Sequence, residues 1–227
     1  MTGSVTKLFN AVGDGRRKHG LAAGALAALG VLASGCGALI PSASGTVLFQ
    51  DDFTRSTTGW DTFEEPGYRA DYVDGALILR VDVPNSLAWS TPNFELGDVR
   101  IEVDTTALAG PADNAFGLIC RFRDPGNFTF LLVSSDGYAG IGVVQDGQRS
   151  LLTGSAMLPS DHILQGLTSN HLRAECVGPR LSLYINGALA EEAAAADWEA
   201  GDVGVIVGTY ATPGVEIQFD NFTISNP

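Results

Sequence analysis

Val99 to Thr105 alternates cleanly, with Val99, Ile101 and Val103 on one face of a strand and Arg100, Glu102 and Asp104 on the other. Paired carboxylates are the working groups of glycoside hydrolysis, where a retaining enzyme holds them about 5 to 5.5 Å apart. Glu102 and Asp104 share a face and are the first candidates for such chemistry. The simpler reading, the solvated side of a half-buried strand, is preferred. No Gly-x-Ser-x-Gly elbow is present for a serine nucleophile. Beyond residue 35 the histidines are His162 and His171, and neither stands in a metal-ligand spacing such as His-Glu-x-x-His. Asp51, Asp52 and Asp220 offer oxygens for a structural calcium where the first and last strands would meet. Calcium takes about six to eight oxygens, so solvated turn carboxylates are the preferred reading of these three. No residue is assigned a catalytic part, and no other cofactor is implied.

The elements that would position such groups are strands. From Thr46 onward, short β-type runs are punctuated by turn dipeptides at Asp74-Gly75, Asp136-Gly137, Asp146-Gly147 and Asn186-Gly187. Each supplies the positive φ angles that two-residue hairpin turns require. Asp124-Pro125-Gly126-Asn127 and Gly178-Pro179 add two more turns. No segment keeps a helical period, although Glu191 to Ala200 has room for one or two helical turns. Many short strands with regular turns predict an all-β antiparallel sandwich or barrel.

Hairpin register assigns faces. If Asp124 pairs with Asn127, Arg121 lies opposite Phe130 and Arg123 opposite Phe128. If Ser135 pairs with Tyr138, Leu132 shares a face with Ile141. One face then collects Phe116, Leu118, Cys120, Phe122, Leu131 and Val133. Its reverse presents Arg121, Arg123, Phe128 and Phe130, a mixture of aromatic surface and fixed cations suited to a sugar groove. The same side chains would equally well pack under a loop such as Thr153 to Asn170, and both readings stand. Trp60, Trp89 and Trp198 are read as core.

Cys120 and Cys176 both fall on faces assigned to the core, since Leu172, Ala174 and Cys176 align with Leu181, Leu183 and Ile185 about the Gly178-Pro179 turn. In an oxidising compartment these two thiols are expected to form a disulfide. Two buried free thiols are the less favoured alternative.

Residues 1–35 read as a targeting segment. Arg16, Arg17 and Lys18 form a positive region, and Leu21 to Ala33 is an unbroken small-apolar run of 13 residues. That is shorter than the roughly 20 residues a spanning helix needs. Leu32-Ala33-Ser34-Gly35-Cys36 follows and resembles the bacterial lipobox, in which the Cys is lipidated and becomes the new N-terminus. Leu stands four residues before the Cys, where the usual pattern has it three before, and Ala33 takes that place. The expected product is a lipoprotein exported by the Sec or twin-arginine route and anchored at Cys36. Residues 36–45 serve as a flexible tether and residues 46–227 as one domain. Without residues 1–35 the chain keeps 9 basic and 25 acidic groups, a net charge of −16. Such a surface repels phosphate polyanions, which excludes nucleic acid as a natural partner.

Several segments of the body are familiar. Leu48-Phe49-Gln50-Asp51-Asp52-Phe53 is followed by Gly59-Trp60-Asp61; Asp113 to Arg121 precedes Ser134-Ser135-Asp136-Gly137-Tyr138; Leu181 to Gly187 and Asp220-Asn221-Phe222 come later. Over residues 47–226 this pattern resembles concanavalin A-like lectin/glucanase jelly-roll domains of bacterial exported proteins. Laminin G-like domains and those grouped with the 3-keto-disaccharide hydrolases are among them. The resemblance implies a jelly-roll β-sandwich. In laminarinase-like members the catalytic carboxylates come from a Glu-x-Asp-x-x-Glu strand. Glu102-Val103-Asp104 matches its first half, and Ala107 stands where the last Glu would be. The leading expectation is a membrane-anchored, extracytoplasmic domain that binds carbohydrate without catalysis. A structural or protein-interaction domain is the first alternative, and a glycan-active hydrolase the second.

Overall fold

The computed structural model describes residues 45–195 and 198–227. The targeting segment, Cys36 and most of the tether lie outside these described residues. Among the described residues sixteen strands run in chain order. They are β1 (Val47–Asp51), β2 (Phe63–Glu65), β3 (Tyr68–Val73), β4 (Ala76–Val81), β5 (Leu87–Ser90), β6 (Val99–Ala109), β7 (Asn114–Asp124) and β8 (Asn127–Val133). They continue with β9 (Tyr138–Gln145), β10 (Gln148–Leu151), β11 (Leu158–Pro159), β12 (Ser169–Val177), β13 (Arg180–Ile185), β14 (Ala188–Ala194), β15 (Asp202–Thr209) and β16 (Val215–Ser225). No helix occurs among the described residues, and the turns expected after Glu191 are instead the end of β14. Ala and Glu have low strand propensity, but context overrides it here, and β14 hydrogen-bonds along the sheet edge against β13.

The strands form two antiparallel sheets. One runs β14-β13-β12-β6-β16-β4-β3-β2, with β1 added beside β16; the other runs β10-β9-β8-β7-β15-β5, with β11 added beside β9. The chain crosses repeatedly between them, so β6 and β16, far apart in sequence, become neighbours near the middle of the larger sheet. Alternation places Ile101, Val103, Leu172, Ala174, Leu183, Ile217 and Phe219 from the nine-stranded sheet against Phe116, Leu118, Leu131, Val133, Ile141, Val205 and Val207 from the seven-stranded one. This is the core. Cys120 of β7 and Cys176 of β12 join within it as a disulfide that links the two sheets, with Cα atoms 6.8 Å apart.

Asp74-Gly75, Asp146-Gly147 and Asn186-Gly187 take positive φ at both positions, and each joins strands whose flanking residues pair directly. The expectation for Asp136-Gly137 is corrected. Ser134, not Ser135, closes this turn, with its amide donating to the Tyr138 carbonyl at 2.8 Å. Only Gly137 has positive φ, at 96°, as a three-residue turn with a glycine bulge requires. The register moves by one residue, so Leu131 pairs with Ile141 and Ile141 turns into the inter-sheet core.

Candidate ligand-binding face

The expected opposition of Arg121 and Phe130 does not form. Cys120 pairs with Thr129, and pairing resumes only at Asp124 and Asn127, so β7 carries a bulge over Arg121, Phe122 and Arg123. Arg121 sits in the left-handed region at φ 56°. Its side chain is buried, with Nη2 donating to the Gly178 carbonyl at 2.6 Å and lying 3.6 Å from the Asp98 carboxylate. Burial pushes its pKa down, against the pull of Asp98. Arg121 therefore ties the bulge to the turn after β12 and is not offered to a ligand. Arg123 is exposed beyond it. The bulge also reverses Phe122, expected in the core, which packs instead on the outer face of the seven-stranded sheet.

That outer face holds a second apolar cluster of Leu87, Trp89, Ala115, Ile119, Phe128, Phe130, Leu132, Val144 and Ile206. Trp89 and Phe128 rings lie 5.6 Å apart, Phe122 and Phe128 5.5 Å, and Phe128 and Phe130 6.4 Å. Phe128 and Phe130 are each 1 % exposed, so the open groove expected of them is corrected to a packed layer. Of the two readings of this face, burial under the connection after β10 describes Phe130. Leu151 and Met157 pack onto the cluster. The β9 glycines make room: a Cβ on Gly142 would collide with the Phe130 ring, and one on Gly140 would press on Met157 and Leu151.

Toward the turns at Pro125 and Gly147 the cover is incomplete. A shallow depression opens there, lined by Leu87, Trp89, Pro125, Phe128, Val144, Gly147 and Arg149. Arg149 is the one charged side chain in this lining, and no carboxylate is among the lining residues. Its position follows from the Asp146-Gly147 turn. Arg149 pairs with Val144, and Val144 pairs with Phe128, which brings cation and ring to one face. Hairpin arithmetic on that turn was the signal available in the sequence for Arg149. Trp89 carried no comparable signal, because β5 reaches the sheet by pairing with the distant β15.

Burial pushes the Arg149 pKa down to about 10, opposed by the nearby Tyr210, so it remains a cation at neutral pH. The Tyr210 pKa is raised, first by burial and then by Asp113, with Arg149 acting against them. Tyr210 also donates to the Met157 sulfur at 3.4 Å. The Asp113 pKa is raised by burial and by Asp136. Arg149 thus stands between an apolar floor and a more polar end of the same face.

Glu102 and Asp104 lie on the opposite side of the molecule, on the outer face of the nine-stranded sheet. Asp104 Oδ1 is 2.8 Å from His171 Nδ1, and its Oδ2 accepts from Asn221 at 2.9 Å. Glu102 lies 3.7 Å from His171 Nε2. Beside them Arg173 stacks over Tyr184, 3.8 Å from the ring centroid, and Arg100 donates to Glu175 at 3.0 Å. This face is a network of polar groups engaged with one another, in which Arg173 Nε lies 3.6 Å from Glu175 without a hydrogen bond. His162 lies in the connection before β12. Asp51, Asp52 and Asp220, the candidate calcium ligands, each accept hydrogen bonds from neighbouring residues. Asp51 is buried and accepts from the Phe53 amide at 2.8 Å and the Trp60 indole at 3.0 Å, which fixes the first turn after β1. Asp52 binds Thr54, and Asp220 accepts from the Asn221 amide. Among the described residues no group of three or more His, Cys, Asp or Glu is placed to hold a metal ion.

No protein-family model matches the chain, and no curated protein matches it in sequence. Solved structures do match. A carbohydrate-binding module, CBM66 from Bacillus subtilis, superposes with a TM-score of 0.60 at 21 % identity, over 74 % of this chain and 96 % of that one. A Bacillus licheniformis β-glucanase gives 0.58 at 10 % identity, over 81 % and 99 %. The GH43 protein BlXynB from Bacillus licheniformis gives 0.58 at 12 % identity, over 78 % of this chain but 39 % of that one. The fold is the concanavalin A-like jelly-roll sandwich that the sequence resembles, and identities this low speak to the fold alone.

Proposed function

We propose that this chain is a non-catalytic carbohydrate-binding domain, held outside the cytoplasm by a lipid on Cys36, whose ligand docks at the pocket around Trp89, Phe128 and Arg149. The observation that carries the proposal is the pocket lining, an apolar floor with one cation and no carboxylate. Sugar sites combine apolar or aromatic surface with a few fixed polar groups. Glycoside hydrolysis needs a pair of carboxylates flanking the bond. Glu102 and Asp104 belong to the other sheet and are engaged with His171 and Asn221. The carbohydrate-binding module described above shares the fold, and its ligand class is carried to this chain only as part of this proposal.

The disulfide favours an oxidising compartment. The run from Leu32 to Cys36 supports the anchor. A glycan array probed with the full chain in detergent tests the binding, together with an assay for reducing ends on every glycan that is retained. Retention without release of reducing ends is expected. Release of sugar would make the chain a hydrolase, and a blank array would favour a structural or protein-interaction domain.

A further inference from the structure

We infer that the end of the sandwich remote from the tether is a docking surface for a protein partner that presents apolar side chains ringed by Lys or Arg. The surface is built by the connection between β10 and β12. Leu164 and Leu167, 57 % and 64 % exposed, are the most exposed large apolar side chains among the described residues. Leu158 is exposed beside the exposed Tyr138, since its neighbour Pro159 pairs with that residue. The segment bearing Leu108, exposed as well, runs beside the one bearing Leu167, because the Ala107 amide donates to the Thr168 carbonyl at 3.2 Å. A lone leucine at a surface is ordinary, whereas several gathered at one end mark a contact.

This exposure does not come from a loose segment. Ile163 is buried in the core. The Gly166 amide donates to the Ser135 carbonyl at 2.8 Å, and the Ser160 amide to the Gly137 carbonyl at 2.9 Å. The buried Asn170 side chain accepts from the Leu164 amide at 2.9 Å and donates to the Leu164 carbonyl at 3.0 Å. Asn186 donates to the His162 carbonyl at 2.8 Å. The backbone is held around both leucines, so a partner that covers them meets a surface already in place, with little ordering cost.

Charge and position choose the occupant. Asp136 stands in the turn before Tyr138, Asp161 in the turn before Leu164, and Asp113 is near enough to feel the Asp136 carboxylate. Residues 106–114, 134–138 and 151–170 contain no Arg or Lys. An apolar patch with an acidic border repels anionic lipid and a second copy of itself, and attracts a surface of opposite charge. The tether joins at the other end of the sheets. There the Asn226 amide donates to the Thr46 carbonyl at 3.0 Å, and Ser225 pairs with Arg100 at the start of β6, whereas Ala107 lies near the end of that 11-residue strand. On the anchor reading, on which this orientation rests, the bilayer is the less fitting occupant.

The test puts a photoactivatable phenylalanine analogue in place of Leu164, of Leu167 or, as the control near the tether, of the exposed Arg180, in the full chain and in the cells that make it. Irradiation should give the same protein adduct from the first two positions and not from the third. Mass spectrometry should place the cross-link on an apolar segment of another protein flanked by Lys or Arg. A peptide of that segment should bind the purified chain, more weakly as salt rises. Leu164→Ser combined with Leu167→Ser should weaken that binding at least about tenfold, the scale of covering one or two leucines, with an unchanged thermal transition. Asp161→Asn should flatten the salt dependence. Adducts with a second copy or with lipid alone would overturn the proposal in favour of those occupants. No adduct, equal adducts at Arg180, or peptide binding untouched by the double variant would overturn it outright. Membrane partitioning of Cys36→Ser reads the anchor by itself, so failure of the anchor and failure of the docking surface appear in different measurements.

Discussion

Arg121 is held by a single strong contact, the 2.6 Å bond from its guanidinium to the Gly178 carbonyl, in a site where its side chain is 3 % exposed. Hydrogen bonds to charged groups contribute about 1.5 to 3 kcal/mol. Arg121→Ala is therefore expected to lower unfolding stability by an amount in that range, measured by chemical denaturation, without touching the pocket. A variant as stable as the parent would show that the tie is dispensable. The sequence made Arg121 look like a ligand-facing cation because unbroken pairing counted back from Asp124 and Asn127 puts it opposite Phe130. Alternation cannot register a bulge, since nothing in Arg121-Phe122-Arg123 announces a residue at positive φ. Arg149 was legible in principle, two residues past a well-marked turn. Its exposed-looking neighbours Gln148 and Ser150 hid that it faces an apolar layer.

At the scale of elements, the outer layer of the seven-stranded sheet is a small core of its own. Phe130 lies at its centre over Gly142, beneath Leu151 and Met157. Phe130→Ala is expected to cost about 3 to 5 kcal/mol, the usual range for a buried Phe. A loss well below 1 kcal/mol on denaturant titration would mean the layer is loosely packed. The disulfide between β7 and β12 closes a separation of 56 residues. In the chain-entropy account this contributes about 4 kcal/mol, so reduction should lower the melting temperature, and an unchanged transition would contradict the staple. Strand existence, the three two-residue glycine turns and the Cys pair were readable because each depends on local chemistry or on clean alternation. The pairings of β6 with β16 and β15 with β5 were not, because they join segments with no shared local signal. The shift at Ser134 to Tyr138 has the same lesson on a smaller scale: Asp-Gly marks a turn without fixing its length.

For the whole molecule, anchoring and binding are separable claims. Cys36→Ser is expected to leave the protein unprocessed or released from membranes, read by detergent partitioning and mature mass. Unchanged partitioning would contradict lipidation at that residue. The two outer faces of the sandwich make the sharper contrast. One is a lattice of paired charges around His171, Arg173 and Tyr184. The other joins aromatic rings to a cation at Arg149. A glycan array probed in parallel with the wild-type chain, Arg149→Met and Arg173→Met decides between them, with matched thermal transitions as the control for folding. Binding at the seven-stranded sheet predicts that Arg149→Met loses the retained glycans while Arg173→Met keeps them. Retention by Arg149→Met and loss by Arg173→Met would place the ligand on the opposite face and contradict the account.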